Sequence, residues 1–141
     1  MMNERPSIAS VQQSIIAEFD ELGNGLARYT HLVELAKTHT PSAQLHREDH
    51  LIPGCQSKAW FSCDRRNGAL EFEADSDSML IQGIIVLLLR IFNKRTALEI
   101  AEAEIFILKH PGLFGSLSPT KSNGLQAILN QFTRAGQDQI G

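Results

Sequence analysis

A chain of 141 residues, 43% hydrophobic and 21% charged, carries enough apolar material to bury a core without metal or disulfide help. Its 13 basic and 16 acidic side chains leave a net charge of -3, which excludes the basic field of a nucleic-acid binder. The longest apolar run, Ile84 to Leu89, is far short of the ~20 residues a membrane span needs. The polar opening, Met1 to Ser7, is followed by no secretion segment, so the expected location is cytoplasmic. In that reducing setting Cys55 and Cys63 are expected as free thiols.

In chain order, Ile8, Val11, Ile15, Ile16, Phe19 and Leu22 recur at helical spacing. Gly23-Asn24-Gly25 breaks the pattern, and a second helical stretch carries Leu26, Tyr29, Leu32, Val33 and Ala36 on one side. Residues 38–50 are polar and read as irregular, with His39, His46 and His50 as solvated loop histidines. His46 and His50 stand four apart, but no carboxylate or cysteine spacing supports a metal site. Pro53-Gly54-Cys55 then forms a turn: proline fixes φ, glycine reaches conformations closed to other residues, and the side chain they aim is Cys55.

Gln56 to Cys63 alternates as a strand, with Ala59, Phe61 and Cys63 on one face and Lys58, Trp60 and Ser62 on the other. Asn67-Gly68 suits the positive-φ geometry of a tight hairpin turn, and Ala69 to Ala74 returns as the partner strand. Asp75-Ser76-Asp77-Ser78 supplies capping oxygens for a buried central helix, Met79 to Phe92. Thr96 and Glu99 have the spacing of a capping box for a short helix. A further helical stretch is expected over Ala103 to Lys109, stopping at His110-Pro111-Gly112. The last helix starts around Thr120 to Asn123, uses Leu125, Ile128, Leu129 and Phe132, and gives way to a polar tail from Gln137. The pattern predicts one domain, residues 1–141, with a core of about 8–135, built from helices and a small antiparallel sheet.

Cys55 is the residue with the setting for chemistry. Thiolates attack sulfur, and a turn between Pro53-Gly54 and a strand can present one to a partner. His50, Lys58 and Arg47 are near it in sequence. Cys63, at a strand end beside Phe61, reads as a packing residue. The two cysteines match no zinc spacing, and no glycine-rich phosphate loop is present, so no metal or nucleotide is expected.

Pro53-Gly54-Cys55-Gln56-Ser57-Lys58-Ala59-Trp60 resembles the cysteine loop of the SufE/CsdE family. Phe72-Glu73-Ala74-Asp75-Ser76-Asp77, then Gln82-Gly83-Ile84-Ile85, and near the end Leu117 through Leu125 resemble further stretches of that family in order. The resemblance runs over about residues 11–133 and implies the α+β fold shared with IscU-type scaffolds. It implies that Cys55 accepts persulfide sulfur from a pyridoxal-phosphate cysteine desulfurase and passes it toward an iron–sulfur scaffold complex, stimulating the desulfurase, with no cofactor on this chain. Pro53, Gly54, Gln56 and Ser57 would support the loop. Lys121 stands where the family usually has arginine and Thr120 where it has serine, so docking or loop stabilisation at Lys121 would be altered. The alternatives are an IscU-type iron–sulfur scaffold, for which several cysteine ligands would be needed, a stand-alone cysteine enzyme, and a purely structural adaptor.

Overall fold

The computed structural model describes residues 6–23, 25–53, 58–110 and 119–139, with the backbone path alone for 119–121. Helix α1 spans Ile8–Asp20, and the Ser10 N–H donates to its capping residue, Ser7, at 3.1 Å. It ends two residues before the expected Leu22. Gly23 turns the chain at φ +82°, and α2 runs over Gly25–Lys37. Ile15 and Phe19 of α1 and Leu32 of α2 are buried in one core with α3, Met79–Phe92, and Ala36 of α2 is buried as well. The α3 cap is Ser78, whose side chain accepts from the Ile81 N–H. As its all-round apolarity predicts, α3 is the central helix: eight of its residues are buried. It lies so close to α2 that a Cβ on Gly83 would collide with the Leu32 carbonyl.

The sheet is a hairpin of β1, Ala59–Arg66, and β2, Ala69–Ser76, in antiparallel register. Asn67 and Gly68, at φ 52° and 81°, make the expected tight turn. Both strands run past their predicted ends, while β1 starts at Ala59, leaving Lys58 outside it; Gln56 and Ser57 of the predicted strand lie outside the described residues. β1 continues through Arg66, and β2 takes in Asp75 and Ser76, which the sequence had suggested were helix-capping residues.

The inner hairpin face carries Phe61, Leu70, Phe72 and Ala74. It packs on α3 and on α5, Pro119–Gln139. Phe132 of α5 is the hub, its ring 5.0 Å from those of Phe61 and Phe72 and 5.1 Å from that of Phe92. The edge of β2 away from β1 is partly covered by other segments. Leu70 exchanges hydrogen bonds with Lys94 and Arg95, the Phe72 N–H donates to Asn93 Oδ1, His39 donates to the Ala74 carbonyl, and Gln82 donates to the Ser76 carbonyl.

The short helix α4, Ala97–Glu102, has the capping box that Thr96 and Glu99 predict. It packs on α5, where Gly136 leaves room for the Ile100 side chain. The expected helix over Ala103 to Lys109 is not formed; only Ile107–Lys109 makes a single 3-10 turn. Gln12 of α1 is responsible. Its buried side-chain oxygen accepts from the N–H groups of Phe106 and Ile107, and its amide nitrogen donates to the Glu104 carbonyl. Those backbone groups are therefore committed outside any helix. The last helix extends to Gln139, past the residue 137 where a frayed tail was expected.

Candidate functional site

The site is built where the chain enters and leaves the loop that contains Cys55. On the entering side two 3-10 turns, Ala43–Leu45 and Glu48–His50, lead into Leu51 and Ile52. Leu51 pairs with Trp60, and the Ile52 N–H donates to the Ala59 carbonyl at 2.8 Å. On the leaving side the Asp77 N–H donates to the Lys58 carbonyl at 3.1 Å. Both limbs are thus pinned to the same end of the hairpin. In the sequence Cys55 stands between these two limbs, three residues after Ile52 and three before Lys58.

Of the residues singled out in the sequence, Pro53 is exposed at the start of the loop. Gly54, Cys55, Gln56 and Ser57 lie outside the described residues. Lys121 belongs to the first turn of α5, and its side chain is also outside the description. Cys63 is half-buried on the inner face of β1, in line with a packing role. Burial pushes its thiol up, and the neighbouring Asp64 carboxylate pushes it further. It therefore stays protonated at neutral pH and is a poor nucleophile.

Segment 38–50 is irregular and largely exposed, as expected, but its three histidines are not free in solvent. It covers the outer face of the hairpin and is fastened there by side chains. Ser42 donates to Glu73 twice, from its N–H at 3.0 Å and its hydroxyl at 2.8 Å. His39, with a side chain only 9% exposed, donates from Nε2 to the Ala74 carbonyl at 2.7 Å. His50 donates from Nδ1 to the Leu45 carbonyl at 3.0 Å, bracing the entry to the loop. His46 makes the contact with the greatest reach. Its Nε2 is 2.6 Å from Asp75 Oδ2, and its ring stacks on the Trp60 indole, with centroids 4.0 Å apart and planes within 17°.

Trp60 and Asp75 face each other across the two strands, so one imidazole closes over both. The Asp75 side chain is only 5% exposed. A buried carboxylate is costly unless each oxygen is served. Here Oδ2 takes His46, while Oδ1 takes Gln82 Nε2 of α3 at 3.2 Å and has His39 Nε2 at 3.6 Å. This His46–Asp75–Trp60 arrangement escaped the reading of the residues. Its signal was present: a two-residue turn at Asn67-Gly68 forces Trp60 opposite Asp75, and alternation puts both on the face away from Phe61 and Phe72. That His39 and His46, 35 and 29 residues before Ala74 and Asp75, would fold onto that hairpin has no local signal. Among the described residues no group of three or more His, Cys, Asp or Glu side chains could hold a metal ion, and no helix is long and apolar enough to cross a membrane.

Comparison with known proteins agrees with this architecture. An uncharacterised SufE-like protein of Rhizobium etli is 33% identical over 134 residues, covering 91% of this chain and 90% of that protein. Another from Synechocystis is 28% identical and covers 90% of this chain and 81% of its own. The solution structure of a hypothetical protein from Thermus thermophilus superposes with a TM-score of 0.72 over 91% of this chain and 94% of that one; at 17% identity this speaks for the fold alone. The model of the SufE family, described as an Fe–S metabolism associated domain, matches residues 13–135. The chain belongs to the SufE family of Fe–S metabolism.

Proposed function

We propose that this chain, acting as one SufE-like domain in the cytoplasm, accepts sulfane sulfur on Cys55 from a pyridoxal-phosphate cysteine desulfurase. It passes that sulfur to an iron–sulfur scaffold complex and stimulates the desulfurase by clearing it. The observation that carries the reading is the double pinning of the cysteine loop at Ile52–Ala59 and Lys58–Asp77 in a chain of this family. The tether confines a sulfur carrier to one end of a rigid hairpin, where a partner can approach it.

The chemistry balances without a cofactor on this chain. The Cys55 thiol gives up its proton and its thiolate attacks the outer sulfur of the donor persulfide. A new S–S bond forms at Cys55, the donor S–S bond breaks, and the donor cysteine leaves as a thiolate that takes up a proton. No net oxidation or reduction occurs. Pro53 stiffens the loop, Gly54 permits its geometry, and Gln56 and Ser57 bond its backbone. Lys121, near the start of α5, serves docking or loop stabilisation.

The test is mass spectrometry of the chain after mixing with a cysteine desulfurase and L-cysteine. The Cys55 peptide gains one sulfur, and Cys55→Ser gains none and leaves the desulfurase unstimulated. An unmodified Cys55 peptide, or stimulation that survives Cys55→Ser, refutes the assignment. A stable iron–sulfur chromophore on anaerobic reconstitution would point instead to a scaffold.

A further inference from the structure

We propose that His46 and Asp75 are positioning residues for the cysteine loop, acting through Trp60; the inference rests on Cys55 being the acceptor. His46 belongs to the limb that enters the loop, Trp60 to the limb that leaves it, and Asp75 to the neighbouring strand. One imidazole touches the other two groups, by a 2.6 Å hydrogen bond and a 4.0 Å stack.

The direction of control is readable from burial. Asp75 is nearly inaccessible, and donors at both its oxygens hold its carboxylate plane. Gln82, which serves Oδ1, also donates to the Ser76 carbonyl at 2.7 Å, so α3 and the end of β2 orient Asp75 as one unit. Asp75 then orients His46, and the flat face of His46 orients the indole. His46 itself is 47% exposed, so covering the core does not explain why its ring is held at both nitrogen and face. Two backbone hydrogen bonds, from Ile52 to Ala59 and from Asp77 to Lys58, would remain without it. They fix the ends of the loop, and Ser42 on Glu73 and His50 on the Leu45 carbonyl still hold the entering limb, but the Trp60 ring then loses its stacking partner on that limb and the link to Asp75. A loop that is competent for only part of the time weakens apparent affinity for its partner by that fraction, while saturation with partner restores the competent state.

The experiment uses the full chain, with His46→Ala and with His46→Gln, whose planar amide can still donate to Asp75. Iodoacetamide alkylation of Cys55 and Cys63 is followed peptide by peptide without any desulfurase. The concentration of chain that half-saturates desulfurase stimulation is measured beside it. His46→Ala is expected to speed alkylation of Cys55 about five-fold with Cys63 unchanged, and to raise the half-saturating concentration about ten-fold at a maximal rate within about two-fold of wild type. His46→Gln is expected to return both quantities to within about two-fold of wild type. The one tryptophan, Trp60, reports the lost stack as a change in its emission in His46→Ala.

Equal acceleration of both cysteines would mean general loosening and would overturn the proposal. So would an unchanged Cys55, a loss confined to the maximal rate, or failure of His46→Gln to rescue. If the wild-type chain takes up no sulfur, the acceptor reading falls by itself, and the alkylation arm still decides whether His46 controls the loop.

Discussion

The two faces of the β1–β2 hairpin are held by different physics. The inner face is apolar: Phe61 and Phe72 meet Phe132, and Phe132 meets Phe92, through ring contacts. The outer face is fastened by Ser42 on Glu73 and His46 on Asp75, with His39 on the Ala74 carbonyl at the strand edge. Apolar burial is strong and non-directional, so it holds the hairpin to the helices without fixing any one angle closely. Net hydrogen bonds contribute only about 1 kcal/mol each but are directional, so they set where a limb of chain lies. The cysteine loop hangs from the end of the hairpin where the two regimes meet.

The comparison breaks most visibly at Phe132. Phe132→Ala opens a void among the aromatic rings on the inner face and should cost about 3–5 kcal/mol, read as a lower midpoint in urea denaturation. Stimulation of a desulfurase by the fraction still folded should be unchanged, because no outer-face fastener is touched. A smaller loss, about 1–3 kcal/mol, is expected for Gly83→Ala, which drives a methyl into the Leu32 carbonyl and forces α2 away from α3. Neither substitution should change the ratio of alkylation at Cys55 to that at Cys63 under native conditions.

Glu73→Gln tests the outer face. The amide can still accept from the Ser42 N–H and donate to the Ser42 hydroxyl, but it loses the charge that strengthens both contacts, so about 1 kcal/mol of stability should go. If the two faces divide their work as described, this small loss should move the cysteine ratio more than Phe132→Ala does. Equal or opposite ranking of the two variants would show that the division is wrong.

The same contrast governs what could be read from the residues. The inner face was legible because its information is periodic. Alternation of Leu70, Phe72 and Ala74, helical spacing of Leu125, Ile128, Leu129 and Phe132, and the all-round apolarity of Met79–Phe92 each predict burial, and each is buried or packed as expected. Local oxygen chemistry was legible too, since Ser78 and the Thr96–Glu99 box satisfy backbone donors three residues away. The outer face was not. His46 and Asp75 are 29 residues apart, and His39 and Ala74 are 35 apart, so no window along the chain contains both partners. Gln12 shows the same failure in another place. The apolar spacing of Ala103 to Lys109 suits a helix, but an amide 94 residues away has taken the N–H of Phe106.

Arg95 is the exception within the apolar layer, and it gives the finest test. Its side chain is 2% exposed; Nε donates to the Ile91 carbonyl, Nη1 lies 3.3 Å from Glu99 Oε2, and Nη2 has no hydrogen-bond partner among the described residues. A buried charge so partly served contributes little, and an apolar side chain of similar length should replace it at no net loss. Arg95→Met is therefore expected to leave stability within about 1 kcal/mol of wild type at neutral pH, and a rise would fit equally well. Its effect on acid sensitivity is sharper. Burial pushes the Glu99 carboxyl up, but the Thr96 N–H and the Arg95 guanidinium outweigh it and hold the folded-state value below the ordinary one. A carboxyl depressed on folding stabilises the native state above its unfolded pKa, and that contribution disappears as pH falls through the lower folded value. Wild type should thus lose stability from Glu99 between its ordinary and its depressed value. Removing Arg95 takes away one of the causes of the depression, so Arg95→Met should flatten that acid limb in urea midpoints measured from neutral pH downward. An acid limb as steep as that of the wild-type chain would show that Arg95 does not hold Glu99 ionised, and that the inner layer carries this charge for some other reason.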